Sequence, residues 1–278
     1  MKRFSLAVVL LVITVGSADA GFLKTLDAAK AEAKKNDRLI FVDLFANWCG
    51  WCHRMEAEVF PSEAFQNATK DMVLLRLDTE DGKEGTKFSQ DFQVRSLPTF
   101  LLITHDGTVA GVISGYAPAP QFAERVKQTV AEWKSFQKRL AEEKSLKDPV
   151  ARLDLARELV DRRGFLQGEK RFGSMVIDTK MPQSVRDEAH YQLALSRMLR
   201  GKFDDSAKTI ETFRTTRKSG DFVERSWLLL ADIYMKQGKY KDALSEFKSF
   251  KQRFPQSALS KNFEPLIPQL EAHLAKAQ

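Results

Sequence analysis

The feature that most constrains the fold is an apolar segment that runs directly into a pair of cysteines. Residues 39–45 are apolar or β-branched except for Asp43, and Cys49 and Cys52, the only two cysteines of the 278-residue chain, follow at once. A nearly continuous apolar run of this length is typical of a central β-strand covered on both faces. The pattern from Cys52 to Phe60 is helical. The cysteines are therefore predicted at the start of a helix that follows a buried strand.

The patterns around this segment alternate between strand and helix. In chain order they predict helix 22–36, strand 39–45, helix 52–60, short helix 64–68, strand 72–78, helix 86–92, strand 100–103, strand 109–114 and helix 121–140. The last two strands are joined by Asp106-Gly107, a strong hairpin signal. A βαβ unit followed by a hairpin predicts an α/β domain with a mixed central sheet and helices on both faces.

The C-terminal half contains only helical patterns. A charged stretch, 141–148, precedes it, and Gly164, Gly201 and Gly238 recur 37 positions apart. The clearest unit contains the following residues: Trp227, Leu230, Ala231, Tyr234, Gly238, Tyr240, Ala243, Phe247 and Pro255. This order resembles the tetratricopeptide repeat, which implies an all-α domain of stacked helix pairs over 149–278, with a surface suited to protein or peptide. The aromatic residues are expected to fill the seams between helices.

The position of the cysteines predicts their chemistry. A cysteine in the first turn of a helix meets unpaired backbone N–H groups and the positive end of the helix dipole, and both favour the thiolate. Cys49 is therefore the expected attacking sulfur. Cys52 lies one turn further along the same helix, where it is placed to attack a mixed disulfide formed at Cys49 and to release the substrate.

The segment from Val42 to Cys52 resembles the active-site segment of thioredoxin-like proteins, and Leu97-Pro98-Thr99 resembles their cis-proline loop. The resemblance covers about 22–134 and implies that Cys49 is the nucleophile and Cys52 the resolving thiol. It implies further that Asp43 exchanges a proton with Cys52, and that Pro98 is cis and faces the disulfide. The substrate-binding rim is expected at Trp48, Gly50, Trp51 and Leu97.

Two residues depart from thioredoxin itself, which has proline at the position of Trp51 and lysine at that of His53. Residues beside the cysteines tune the thiolate and the redox potential, so the direction of electron transfer stays open at this level. No metal and no organic cofactor is expected, because the electrons would travel on the Cys49–Cys52 sulfurs. The expected partners are a client protein with a disulfide or dithiol and a separate redox partner.

The N-terminal residues indicate export. Lys2 and Arg3 precede the apolar run 6–15, and small residues follow at 18–20, which is the pattern of a cleaved signal peptide. The run is short for a membrane span of about 20 residues, so no stable membrane insertion is expected after cleavage. The predicted organisation is a signal peptide at 1–20, a thioredoxin-like domain at 21–140, a linker at 141–148 and a repeat domain at 149–278, in a periplasmic or secreted protein.

Composition excludes other classes. The net charge of +7 comes from 44 basic residues interleaved with 37 acidic ones, which is typical of solvated helix faces rather than a nucleic-acid site. One cysteine pair is too few for a disulfide-stapled scaffold.

The sequence allows three rival interpretations. The string from Cys49 to His53 also fits a CxxCH haem-attachment site. The second interpretation is a zinc site, which would have at most three ligands here. The third is an exported interaction scaffold with a redox-inactive domain, which would need neither Asp43 nor Pro98.

Overall fold

The computed structural model describes residues 21–276, and the predicted signal peptide lies outside them. The chain forms two compact units that divide between Trp133 and Lys134. This division falls inside one long helix, α5, which begins in the first unit and ends in the second. Each unit has its own core.

The first unit is a mixed sheet with helices before, between and after its strands. Its elements are α1 (Leu26–Lys35), β1 (Ile40–Phe45), α2 (Gly50–Arg54), a π-helical turn (Met55–Val59), α3 (Glu63–Thr69), β2 (Val73–Asp78), α4 (Glu84–Asp91), β3 (Thr99–Ile103), β4 (Val109–Ser114) and α5 (Ala119–Ala141). The strand order is β2-β1-β3-β4. β1 is parallel to β2 and antiparallel to β3, and β3 and β4 form the hairpin. The predicted α/β class is confirmed.

Alternation along β1 sends its side chains to two separate cores. Ile40, Val42 and Leu44 are fully buried on the face that packs against α1 and α4. Phe41 points to the other face, where aromatic rings meet; its ring centroid lies 5.4 Å from those of both Phe65 and Phe100. Asp43 shares the face of Phe41. The strand is thus covered on both sides, as its continuous apolar pattern predicts, and its one charged residue is in the interior.

The prediction of a helix from residue 22 is wrong for its first residues. α1 begins at Leu26, and Leu23 forms a parallel bridge to Leu75 of β2. The Leu23 amide donates to the carbonyl of Leu74, and the Leu23 carbonyl accepts from the amide of Arg76. Helical spacing of Phe22 could not reveal that an edge strand offers these backbone groups a partner.

The second unit is all-helical in the described residues. Its helices after α5 are α6 (Pro149–Asp161), α7 (Phe165–Ile177), α8 (Gln183–Leu199), α9 (Phe203–Thr216), α10 (Asp221–Lys236), α11 (Tyr240–Arg253) and α12 (Leu266–Lys276). Asp148 caps α6 by accepting from the amide of Val150, and Pro149 occupies the first turn, where its missing N–H is harmless. Three successive apolar clusters join neighbouring helices, as in a stacked array.

The three recurring glycines are not equivalent. Gly201 and Gly238 adopt the left-handed conformation between helices of a pair, with φ of 74° and 72°. In the first pair the left-handed residue is Arg163, while Gly164 has φ of −73° and a Cβ on it would lie 2.7 Å from a methyl group of Leu159. Glycine is therefore required there by close packing, whereas at the later two turns it is required by the backbone.

Candidate active site

The two cysteines form a disulfide at the start of α2. Their sulfurs are bonded at 2.02 Å, and Cys49 is the N-cap residue of the helix. Its Sγ and its carbonyl both accept from the amide of Cys52, at 3.2 and 3.0 Å. Cys49 and Cys52 are only 4% and 2% exposed. The helix start therefore places the Cys49 sulfur against a backbone N–H group, that of Cys52, which would stabilise a thiolate.

A buried charge network links Asp43 to the helix that carries the cysteines. Asp43 of β1 is 1% exposed and lies opposite Arg76 of β2 in the parallel register. Arg76 Nε is 3.1 Å from Asp43 Oδ2, and Arg76 Nη2 is 2.9 Å from Glu56 Oε2. Glu56 stands four residues after Cys52, on the same side of the continuing helix. The Arg76 guanidinium thus links Asp43 to that helix. Its central carbon also lies 4.1 Å from the centroid of the Phe45 ring.

The predicted proline loop lies at the start of β3. The Leu97–Pro98 peptide is cis, as the resemblance implied, and the Pro98 carbonyl accepts from the amide of Gly115 at 2.9 Å. Pro98 is buried and Leu97 is half-buried, with the Leu97 side chain packed against the core between the sheet and α1. The loop is therefore tied to the end of the β3–β4 hairpin.

The predicted rim residues differ in their surroundings. Trp48 and Trp51 are the two most exposed tryptophans, at 69% and 53%. Trp48 Nε1 donates to Glu80 Oε1 at 2.8 Å. Gly50 is exposed, and a Cβ built on it meets no atom within 4 Å, so its backbone lies open to a partner.

His53 occupies the side of α2 that faces the preceding loop. Its Nε2 lies 2.9 Å from the carbonyl oxygen of Asn47, a contact in which the ring nitrogen donates, and its Nδ1 is 4.0 Å from Glu56 Oε2. The nitrogen that a haem iron would need is therefore engaged by a backbone carbonyl. Within residues 21–276, no three His, Cys, Asp or Glu side chains are grouped as metal ligands.

Two further residues of the site were missed from the sequence. Arg76 could have been noticed as a cation in the middle of an apolar strand, a position that calls for a buried partner. Tyr116 follows β4, where no local pattern indicates that it meets Trp51, at 5.3 Å between ring centroids. Arg54 lies against both rings.

Comparison with known proteins agrees with this geometry. A family model described as a thioredoxin-like domain matches residues 26–129, and a tetratricopeptide repeat model matches residues 225–257. Thioredoxin-1 of Drosophila yakuba is 37% identical over 89 residues, which cover 32% of this chain and 73% of that protein. This chain belongs to the thioredoxin-like family. The helical repeats that follow are confirmed by the repeat match at the unit containing Trp227.

Other similar proteins match less than half of this chain. The thiol:disulfide interchange protein DsbD of Pseudomonas fluorescens is 35% identical over 107 residues, 37% of this chain and 18% of that protein. The chain thus spans about a fifth of the length of this relative. A solved structure of the DsbH oxidoreductase aligns over 45% of this chain and 95% of its own, with 17% identity and a TM-score of 0.36.

Proposed function

We propose that the protein is an extracytoplasmic thiol:disulfide oxidoreductase that acts on protein disulfides or dithiols through Cys49 and Cys52. The observation that carries the proposal is the disulfide at the start of α2, on a helix that shares the Arg76 guanidinium with the buried Asp43. A disulfide placed only to hold the fold would need neither the exposed residues around it, Trp48, Gly50 and Trp51, nor a buried carboxylate. The relatives named as thiol:disulfide interchange proteins support the same chemistry.

In the reducing direction, the Cys49 thiolate attacks one sulfur of the client disulfide. The client S–S bond breaks, a Cys49–client disulfide forms, and the other client sulfur leaves as a thiolate that takes up a proton. Asp43 then accepts the proton of the Cys52 thiol, whose sulfur attacks Cys49. The Cys49–Cys52 bond forms, the second client sulfur leaves, and two electrons have passed to the client.

The cycle is closed by a redox partner that carries a dithiol and returns the Cys49–Cys52 pair to its reduced form. Run backwards, the same steps oxidise a client dithiol and leave Cys49 and Cys52 reduced. Trp48, Gly50, Trp51 and Leu97 are the proposed substrate-contacting residues, and Pro98 is proposed to face the disulfide. No cofactor takes part, since every electron moves between sulfurs.

The proposed extracytoplasmic location follows from the signal-peptide pattern at 1–20. The proposed partners are proteins and include no nucleic acid. No helix within the described chain, 21–276, is long and apolar enough to cross a membrane. We assign residues 21–140 to the redox domain, 141–148 to the linker and 149–278 to a repeat domain that binds the client or another protein. Ile177 and Leu199, apolar and exposed at 78% and 55%, are available for such binding.

Catalysed reduction of a disulfide-bonded model protein, with dithiothreitol as the electron source, tests the redox function. Turnover that requires both Cys49 and Cys52 supports it; no turnover above the uncatalysed rate would instead favour a redox-inactive scaffold. For the repeat domain, the test is the full-length double variant Ile177→Ser/Leu199→Ser. Relative to the unaltered protein, this variant is expected to reduce a natural client more slowly but the model protein at the same rate. Equal effects on both substrates would contradict a client-binding role.

A further inference from the structure

A compact cluster of side chains stands beside the disulfide on the side of Trp51. The Trp51 and Tyr116 rings lie 5.3 Å apart at 32°, and the Arg54 guanidinium carbon is 5.2 Å from the centroid of the first and 4.5 Å from that of the second. Glu58 completes the cluster. We call these four residues, Trp51, Arg54, Glu58 and Tyr116, the aromatic ledge.

The polar groups of the aromatic ledge are satisfied within it. Arg54 donates from Nε and Nη2 to the two carboxylate oxygens of Glu58, both at 3.0 Å. The Tyr116 hydroxyl donates to Glu58 Oε2 at 2.6 Å and accepts from Arg54 Nη2 at 3.3 Å. These bonds lower the pKa of Glu58, chiefly through Arg54, and raise the pKa of Tyr116, chiefly through Glu58. The ledge therefore has no net charge and keeps few free hydrogen-bonding groups for a partner.

The aromatic ledge offers a partner an aromatic ring whose position is fixed by neighbouring side chains. Trp51 remains 53% exposed although its ring contacts both Tyr116 and Arg54. Trp48, on the other side of Cys49 in sequence, is 69% exposed and has its indole N–H bound to Glu80. Rigid aromatic side chains contribute contact area at little entropic cost, so rings fixed before binding favour association with apolar groups.

We propose that the aromatic ledge selects partners in which an apolar or aromatic side chain stands next to the reacting cysteine. This inference rests on the proposed function, because it names the substrate class of the same disulfide. A partner sulfur must come within bonding distance of Cys49, and Trp51 is only two residues away, so a residue adjacent to the partner cysteine meets the ledge. A charged neighbour would find Arg54 and Glu58 already paired, whereas an aromatic neighbour stacks on Trp51.

Four disulfide-linked peptides, identical except for Phe, Ser, Lys or Asp beside the reacting cysteine, provide the test on the full-length protein. The measured quantity is kcat/KM for each peptide relative to the Ser peptide, because a change in the reactivity of the protein sulfurs cancels in this ratio. An aromatic contact of about 1.4 kcal/mol corresponds to a preference of about tenfold for the Phe peptide. The Lys and Asp peptides are expected to react no faster than the Ser peptide.

Substitutions locate the preference. Tyr116→Ala removes the ring that supports Trp51 and is expected to bring the Phe/Ser ratio close to one, while Tyr116→Phe keeps the ring and the ratio. The control Val112→Ala truncates another exposed apolar side chain of the first unit and leaves the ratio unchanged. If Tyr116→Ala does not fold, as judged by circular dichroism, Trp51→Ala is measured instead and is expected to bring the Phe/Ser ratio close to one.

Four results overturn the proposal. Equal kcat/KM for the Phe and Ser peptides, or a Phe preference that survives loss of the ring, contradicts the aromatic ledge while leaving the redox function in place. A preference for the Lys or Asp peptide contradicts it as well. Failure to reduce any of the peptides contradicts the redox function itself and the ledge with it.

Discussion

Arg76 Nε lies 3.1 Å from Asp43 Oδ2 on the adjacent parallel strand, and both side chains are almost fully buried. Burial of a charge is unfavourable unless a counter-charge compensates it. Arg76→Met is therefore expected to destabilise the protein by about 3–5 kcal/mol, since Asp43 loses the guanidinium but stays in the interior. Urea unfolding followed by tryptophan fluorescence measures the change.

A double variant serves as the control for this ion pair. Asp43→Asn/Arg76→Met removes both charges, so its loss of stability is expected to be smaller than the sum of the two single losses. Strict additivity of the two single substitutions would show that Arg76 does not stabilise the Asp43 carboxylate.

Asp43→Asn tests the proposed proton exchange with Cys52. The amide has the shape of the carboxylate but accepts a proton far less readily, and general base catalysis contributes about a hundredfold or more. We expect the attack of Cys52 on the mixed disulfide to slow by roughly that factor, so that the Cys49–client adduct accumulates in acid-quenched samples analysed by mass spectrometry. Asp37→Asn makes the same chemical change on a side chain that is 89% exposed and should leave adduct lifetimes unaltered. Equal lifetimes in all three proteins would remove Asp43 from the mechanism.

Two glycines of the first unit give opposite expectations for stability. A Cβ on Gly85 would lie 1.9 Å from the carbonyl oxygen of Asp78, so Gly85→Ala forces the backbone apart and is expected to destabilise by about 1–3 kcal/mol. A Cβ on Gly50 would meet no atom within 4 Å, so Gly50→Ala should change the unfolding free energy by less than about 0.5 kcal/mol. Comparable thermal midpoints for the two variants would contradict the packing described around Gly85.

His190 should make the second unit sensitive to acid. Its ring lies 5.3 Å from that of Phe213, and burial lowers its pKa below the usual 6.5, with Arg197 acting in the same direction and Asp187 against it. Below pH 6.5 the unfolded chain therefore binds more protons than the folded one, and stability falls as the pH decreases. His190→Gln is expected to flatten the dependence of the unfolding free energy between pH 7.5 and 5.5. His273→Gln, in the same unit, is the matched control, and an unchanged slope in His190→Gln would refute the prediction.

Much of the first unit could be predicted from sequence because its signals are local. The apolar run before Cys49 indicates a strand covered on both faces, and the strand 109–114 begins and ends where its turn and β-branched residues predict. The cis peptide at Pro98 came from resemblance alone, since an isolated X–Pro bond favours trans.

The parts of the site that were missed depend on contacts distant in sequence. Arg76 meets Asp43 only through the register of two parallel strands, and Tyr116 meets Trp51 only through the folded hairpin. Neither contact has a sequence period that could reveal it. The helix predicted from residue 22 failed for the same reason, because Leu23 pairs with an edge strand.

The direction of electron transfer follows from the reduction potential of the Cys49–Cys52 couple, measured by equilibration with glutathione. A value of about −270 mV is typical of a reductase, and a value of about −120 mV is typical of an oxidant. Variants Trp51→Pro and His53→Lys, which restore the residues of thioredoxin, are expected to move the potential toward the more negative value. An unmoved potential would exclude these two residues as its determinants.

Covalent trapping tests the central claim most directly. A reduced Cys52→Ser protein is mixed with a disulfide-bonded model protein, and the product is analysed by non-reducing electrophoresis and mass spectrometry. The proposed mechanism predicts a stable adduct linked through Cys49, which dithiothreitol releases, and far less adduct from Cys49→Ser, because it is the sulfur of Cys49, the N-cap residue of α2, that accepts from a backbone N–H group. Equal trapping by the two variants, or no adduct with either, would contradict Cys49 as the attacking sulfur of a thiol:disulfide oxidoreductase.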